Sequence, residues 1–227
     1  MEVTAVKVLL VNGSPHERGC TNAALELVAE ALRENGVEAG IYWLGVKPVT
    51  GCISCRKCAT LGGRCAIDDK VNEFKELARE ADGFVFGSPV HYGSCSASLK
   101  GFMDRLFFSE RHGNKSEAFR LKPAAAVVSA RRSGTTAALD QINRYFTMYE
   151  MPVIPSRYCC AVHGAKREDI YQDEEGVFVM RTLGRYMAYY LKCLEAGRKA
   201  GIEPPALESY STTNFIRSDP SMCGFKD

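Results

Sequence analysis

Four cysteines stand close together in the chain as Cys52-x2-Cys55-x2-Cys58-x6-Cys65. Two successive x2 spacings bring three thiolates to one side of a tight turn, and Gly62-Gly63 lets the chain bend before the fourth. Four thiolates can hold a zinc ion or a 4Fe–4S cluster. Structural zinc usually uses two separated C-x2-C pairs, and this compact spacing departs from that pattern. Lys47, Arg56, Lys57 and Arg64 lie nearby and would offset the negative charge of a thiolate-bound cluster. The same thiols could also stay free or pair as disulfides on oxidation. The chain has 10 cysteines in 227 residues. A chain of this length builds a core without staples, so this cysteine count points to a reducing compartment.

A second candidate is the stretch Asn12-Gly13-Ser14-Pro15-His16-Glu17-Arg18-Gly19-Cys20-Thr21-Asn22. It follows a strand-like run and opens a helix, where backbone N–H groups and the helix dipole favour a phosphate. Ser14, Thr21 and Asn22 add short polar donors, and His16 and Arg18 add charge. The spacing is neither Gly-x-Gly-x-x-Gly nor the Gly-x-x-x-x-Gly-Lys-Ser/Thr of a nucleoside triphosphatase. The terminal phosphate of a mononucleotide fits better; a plain strand-to-helix turn is the competing reading. Gly87-Ser88-Pro89-Val90-His91-Tyr92-Gly93-Ser94-Cys95-Ser96 is a third candidate. Its stiff backbone and the Tyr92 ring suit a planar heterocycle, unless Ser94 or Ser96 simply caps the next helix. A fourth, Ser129-Ala130-Arg131-Arg132-Ser133-Gly134, puts two arginines at a strand end.

The elements that must position these loops follow from hydrophobic period. Val3–Val11 is a near-continuous apolar run and reads as a buried strand. Thr21–Glu34 is a helix with Leu25, Val28 and Leu32 on one face, Thr21 as its N-cap and Gly36 past its end. Strands follow at Glu38–Leu44, Gly83–Gly87, Pro123–Ser129 and within Pro152–Val162. Helices follow at Asp69–Ala81, with Val71, Phe74, Leu77, Ala78 and Ala81 inward, and at Ser96–Phe108, with Leu99, Phe102, Met103 and Leu106 inward. Two more span Thr135–Tyr149 and Glu175–Gly197. Gly45–Asp68 is a long functional loop. Strand–helix alternation repeated five times predicts an α/β three-layer sandwich with a five-stranded parallel sheet in the flavodoxin-like order 2-1-3-4-5. Ligands in such sheets sit beyond the carboxyl ends of the strands, where these loops fall. The expected division is one domain over 1–201, carrying the Cys-rich loop 45–68, and a tail over 202–227.

Composition excludes other classes. The chain is 46% hydrophobic and 25% charged, with 29 Lys+Arg against 27 Asp+Glu and a net charge of +2. There is no basic excess, so nucleic acid is not an expected partner. No apolar run reaches the roughly 18–20 residues of a membrane helix, and Met1–Leu10 lacks a signal-peptide pattern. A cytoplasmic protein without membrane contact is expected.

Taken together the loops resemble the FMN-reductase and iron–sulfur-flavoprotein branch of the flavodoxin-like superfamily. The matching residues are Asn12-Gly13-Ser14-Pro15, Gly19-Cys20-Thr21-Asn22, Ser88-Pro89-Val90-His91-Tyr92-Gly93 and Leu99-Lys100-Gly101-Phe102-Met103-Asp104-Arg105. Val162-His163-Gly164, Asp173-Glu174-Glu175-Gly176 and Leu183-Gly184-Arg185 extend the resemblance over nearly the whole chain. It implies non-covalent FMN, with the phosphate on Ser14, His16, Cys20, Thr21 and Asn22. The flavin edge would meet Pro89, Val90, Tyr92 and Gly93. Ser129, Arg131, Arg132 and Gly134 would close the far side, the arginines offering charge near the flavin N1. The compact cysteine spacing resembles the cluster motif of iron–sulfur flavoproteins, which implies Cys52, Cys55, Cys58 and Cys65 as ligands of a possible 4Fe–4S cluster. The expected activity is transfer of reducing equivalents from NAD(P)H through FMN to a quinone, nitro compound or flavin. The alternative is an electron carrier fed by ferredoxin through the cluster. A homodimer or homotetramer is expected, with the site at a subunit interface.

The remaining candidates have plainer readings. His91 and His163 lie near strand ends as possible proton donors, more often structural. His112 belongs to a solvated polar loop, Glu110–Lys115. Tyr186, Tyr189 and Tyr190 read as core or subunit packing, and Trp43 as strand-end packing. Cys159, Cys160 and Cys193 read as buried thiols, and Cys20 and Cys95 as small packed residues.

Overall fold

The structure, a computed structural model, describes residues 6–113 and 118–206. In chain order the elements are β1 (Lys7–Asn12), α1 (Cys20–Glu34), β2 (Glu38–Trp43), α2 (Lys70–Arg79), β3 (Gly83–His91) and β4 (Ser94–Cys95). Then come α3 (Ala97–Arg111), β5 (Ala124–Ala130), α4 (Thr135–Met148), β6 (Ala161–His163) and α5 (Glu174–Lys199). Short 3-10 turns cover Lys57–Ala59 and Arg167–Gln172.

The main sheet is parallel in the order β2-β1-β3-β5-β6. This is the expected five-strand order; β4 is a two-residue antiparallel return on β3. Side chains alternate across the strands and build two cores. Leu9, Val11, Phe84, Phe86, Ala124, Ala126 and Val128 face one layer with α2, α3 and α4. Val8, Leu10, Val85, Ala125 and Val127 face the other, with α1 and α5. Phe74 of α2 stands edge-on to Phe102 of α3, ring centres 5.3 Å apart. Each such fully buried side chain contributes roughly 1.5–3 kcal/mol of transfer free energy.

Several boundaries differ from the pattern-based expectation. Thr21 is not the N-cap of α1: Gly19 holds that position, and the Thr21 hydroxyl is engaged elsewhere. Strand β3 runs on through Pro89 to His91, because the chain turns back at once and pairs with β4. Leu77 is 40% exposed rather than inward, on the solvent edge of α2. Glu110 is not in a solvated loop; it is buried on α3 against Lys75. His112 caps α3 and stacks on Phe108 with ring centres 4.1 Å apart. Tyr186 and Tyr189 are exposed on α5, and Tyr190 alone of the three packs on the core. Cys159 and Cys193 are exposed, not buried. In the expected tail, residues from 207 onward, with Cys223, lie outside the described residues. Among the described residues no helix is long and apolar enough to cross a membrane.

Candidate functional site

The carboxyl ends of β1, β3, β5 and β6 open into one cleft of about 680 Å³. That volume lies in the range of small-molecule sites, roughly 300–1,000 Å³. Its floor is the loop after β1, and the sequence builds that loop from its own polar groups. Asn12 accepts the Ser14 N–H at 3.0 Å and donates to the Glu17 carbonyl at 3.1 Å. The Ser14 hydroxyl accepts the His16 N–H at 3.1 Å. The Trp43 indole donates to the Ser14 carbonyl at 2.8 Å, so this residue clamps the loop rather than merely ending β2. Ser96 caps α3 and donates its hydroxyl to the Gly13 carbonyl at 2.8 Å. Gly13 fits because a Cβ there would lie 2.7 Å from the Leu99 Cβ and 2.9 Å from the Gly87 carbonyl.

At the end of this loop α1 begins without a side-chain cap. Its first backbone bond is from the Ala23 N–H to the Gly19 carbonyl, at 3.0 Å. The N–H groups of Cys20, Thr21 and Asn22 precede it, and such groups suit an anion. Beside them runs the turn after β6. Asp169 fixes that turn by accepting the Ala165 and Lys166 N–H groups at 2.9 and 3.1 Å, which holds its carboxyl below the usual range. Arg167 donates through Nη2 to Glu26 and to the Tyr171 hydroxyl, while its Nη1 is buried without a partner. The Cys20 thiol sits 3.7 Å from the Gly164 carbonyl; burial and then the Asp169 charge push its pKa up, so it stays a neutral thiol.

The opposite wall is the β3–β4 hairpin. Tyr92 and Gly93 occupy its tip with φ of 50° and 74°, the left-handed pair that tight hairpins use. Gln141 of α4 holds the returning strand, accepting from the Ser94 hydroxyl at 2.7 Å and the Cys95 N–H at 3.3 Å. The hairpin rests on Gly134, whose φ is 89°. A Cβ there would fall 2.7 Å from the Gly93 Cα and 2.9 Å from Val90 Cγ1.

Of the residues expected around a cofactor, Ser14, His16, Cys20, Thr21, Pro89, Val90, Ser129 and Arg131 line the cleft. Thr21 and Ser129 join the first turn of α1 to β5 through hydroxyls 2.8 Å apart. The side chain of Asn22 turns instead to Glu26, at 2.7 Å. Tyr92 projects fully exposed from the hairpin tip, and Gly93, Arg132 and Gly134 stand outside the lining; Gly134 acts as the hairpin's support. His91 lines the cleft, whereas His163 is exposed 3.6 Å from Asp173. Sequence reasoning missed Gly164, Ala165, Lys166 and Arg167. The available clue was a basic pair just after a strand end.

Cys52, Cys55, Cys58 and Cys65 line a second, smaller cavity together with Arg105 and Phe108. Ser54 and Arg56 both have positive φ, 52° and 56°. Such residues cost of order 1–3 kcal/mol each, and they alternate with the cysteines along the loop. The second half of the loop is pinned from α2 and α3. Asn72 accepts the Cys65 N–H at 2.9 Å and donates to its carbonyl at 3.0 Å. Lys75, paired with Glu110 at 2.7 Å in the interior, also donates to the Gly63 carbonyl. None of the four thiols is in a disulfide. Among the described residues no three His, Cys, Asp or Glu side chains converge closely enough for a single metal ion. Elsewhere, burial pushes the Cys160 thiol up to about 12.

Residues 6–166 match the family model described as NADPH-dependent FMN reductase. An iron-sulfur flavoprotein of Methanocaldococcus jannaschii is 30% identical over 200 residues, 84% of this chain and 100% of that protein. An FMN-dependent NADPH-azoreductase of Staphylococcus aureus is 26% identical over 122 residues, 54% of this chain and 59% of its own. The structure of a flavodoxin from the domain Archaea superposes with a TM-score of 0.55 at 18% identity, covering 82% of this chain and 99% of that one.

Proposed function

Because the chain belongs to the NADPH-dependent FMN reductase family, we propose that its cleft holds FMN and that NAD(P)H reduces it for a small acceptor such as a quinone, nitro compound or flavin. The observation that carries the assignment is the uncapped start of α1 at the edge of the cleft. A terminal phosphate accepts from the unpaired N–H groups of that first turn. Ser14, Arg18 and Lys166 line the same cleft. Pro89, Val90 and His91 supply the wall for the ring, and Arg131 supplies positive charge at the far end. When bound, FMN takes up two electrons from the nicotinamide and passes them on singly or in pairs. The chain's own residues bind, orient and set the electrostatics; no side chain is assigned as a catalytic acid or base. Tyr92, fully exposed at the rim, suits a homodimer or homotetramer in which a second copy covers the ring.

A second reading is favoured by the four-thiol cavity. An all-thiolate donor set suits iron–sulfur chemistry, and in a 4Fe–4S cluster each thiolate binds its own iron. The thiolates then need not converge on one ion as they do around zinc. In this reading ferredoxin feeds electrons through the cluster to FMN. Helix α3 connects the two cavities: Ser96 at its cap holds the Gly13 carbonyl, and Arg105 reaches Cys65. At 1.5 Å rise per residue these positions lie roughly 14 Å apart along the axis.

The phosphate assignment is tested by titrating apoprotein with FMN and with riboflavin. FMN should bind at least about a hundredfold more tightly, the equivalent of roughly 2.7 kcal/mol. Equal affinities would remove the phosphate from the α1 terminus.

A further inference from the structure

Arg105 heads the largest fully buried side chains. The flavin cleft does not use it. Its Nη1 and Nη2 donate to the two Asp69 carboxylate oxygens at 2.6 and 2.8 Å, and Nη2 also donates to the Ile67 carbonyl at 2.7 Å. Those bonds already satisfy the charge. The remaining nitrogen, Nε, is aimed at Cys65 Sγ, 3.3 Å away, and Arg105 itself lines the four-thiol cavity. The planar fork fixes Nε once Asp69 has taken the other two nitrogens. Asn72 fixes the Cys65 backbone on both sides, so the sulfur's position is determined by Arg105 and Asn72 together.

We propose that Arg105 is a positioning residue for Cys65, setting its sulfur toward the shared cavity and donating an N–H···S hydrogen bond that favours the reduced form of a 4Fe–4S cluster held there. The proposal rests on the cluster reading above. One-electron reduction adds one negative charge to the cluster and its thiolates. An N–H donor on a ligand sulfur stabilises that charge and so raises the potential, while the charge of the guanidinium itself is offset by Asp69. A lysine at this position keeps the charge but loses the fixed planar donor.

The test uses full-length protein reconstituted anaerobically with iron and sulfide, as wild type, Arg105→Lys and Arg105→Gln. FMN binding reports that each variant is folded. Iron per chain and the cluster midpoint potential, followed by EPR, are the readouts. Arg105→Lys should retain iron and shift the reduction equilibrium about tenfold toward the oxidised form, about 59 mV for one electron. Arg105→Gln should shift it further. Unchanged midpoints in both variants overturn the role of Arg105 alone. A wild type that binds FMN but takes up no iron overturns this inference together with the cluster reading. Folding of the variants is not essential to the test: pulsed EPR of reduced wild type carrying isotope-labelled arginine should show coupling to an arginine nitrogen. Its absence equally overturns the proposal.

Discussion

Gly134→Val should weaken FMN binding by at least tenfold and lower the melting temperature, while leaving the sheet's secondary structure intact. Gly134 is left-handed, with φ of 89°, a conformation that costs a β-branched residue roughly 1–2 kcal/mol or more. The added Cβ would meet the Gly93 Cα at 2.7 Å and Val90 Cγ1 at 2.9 Å. The first of these is backbone and cannot rotate away, so the hairpin itself must move. Overpacking of this kind adds about 1–3 kcal/mol. The strain falls on Val90, which lines the proposed flavin wall, and not on β1 or its loop. Fluorescence titration with FMN, beside a Ser133→Ala control at the exposed neighbouring position, checks it. A valine variant binding FMN within twofold of wild type would show that the hairpin does not shape the site.

The second large effect concerns the thiols. Cys65→Ser is expected to reduce iron from about four per chain, the content of one 4Fe–4S cluster, to less than one. FMN content should not change. Cys65 is held through its backbone by Asn72, so the smaller serine keeps the local fold while losing the soft ligand. Cys58, the buried member of the set, should behave alike, whereas Cys95→Ser, outside this cavity, should leave iron untouched. Paired loss of iron and flavin would contradict two separate sites joined by α3. Wild type with flavin and no iron would leave the reductase reading standing and make the four cysteines redox thiols.

The sheet order was readable because the buried strands are short apolar runs and each following helix shows its own period. Leu9 and Val11 facing one layer and Val8 and Leu10 the other is the pattern of a strand covered on both sides. The loop after β1 was readable as part of the cleft because its place between strand and helix limits what it can do. Its internal architecture was not. Asn12 bonding to Ser14 and Glu17, and Trp43 reaching Ser14 from β2, are contacts between groups whose side chains look unremarkable in one dimension. The hairpin was hidden by Pro89, which reads as a strand end; the turn at Tyr92-Gly93 packs against Gly134, where a side chain would clash. Arg167 was missed for a similar reason. It lies far along the chain from the loop after β1, and only the return of β6 beside β5 brings it to the start of α1. Tyr92, chosen for its aromatic face, points out to solvent because its own backbone makes the turn.

The most direct test of the central claim is anaerobic mixing of FMN-loaded protein with NADPH and, separately, NADH, following the flavin's visible band. The band should bleach with at least one nicotinamide and return when a quinone is added. A band that persists with both nicotinamides, in protein shown to hold FMN, would contradict it.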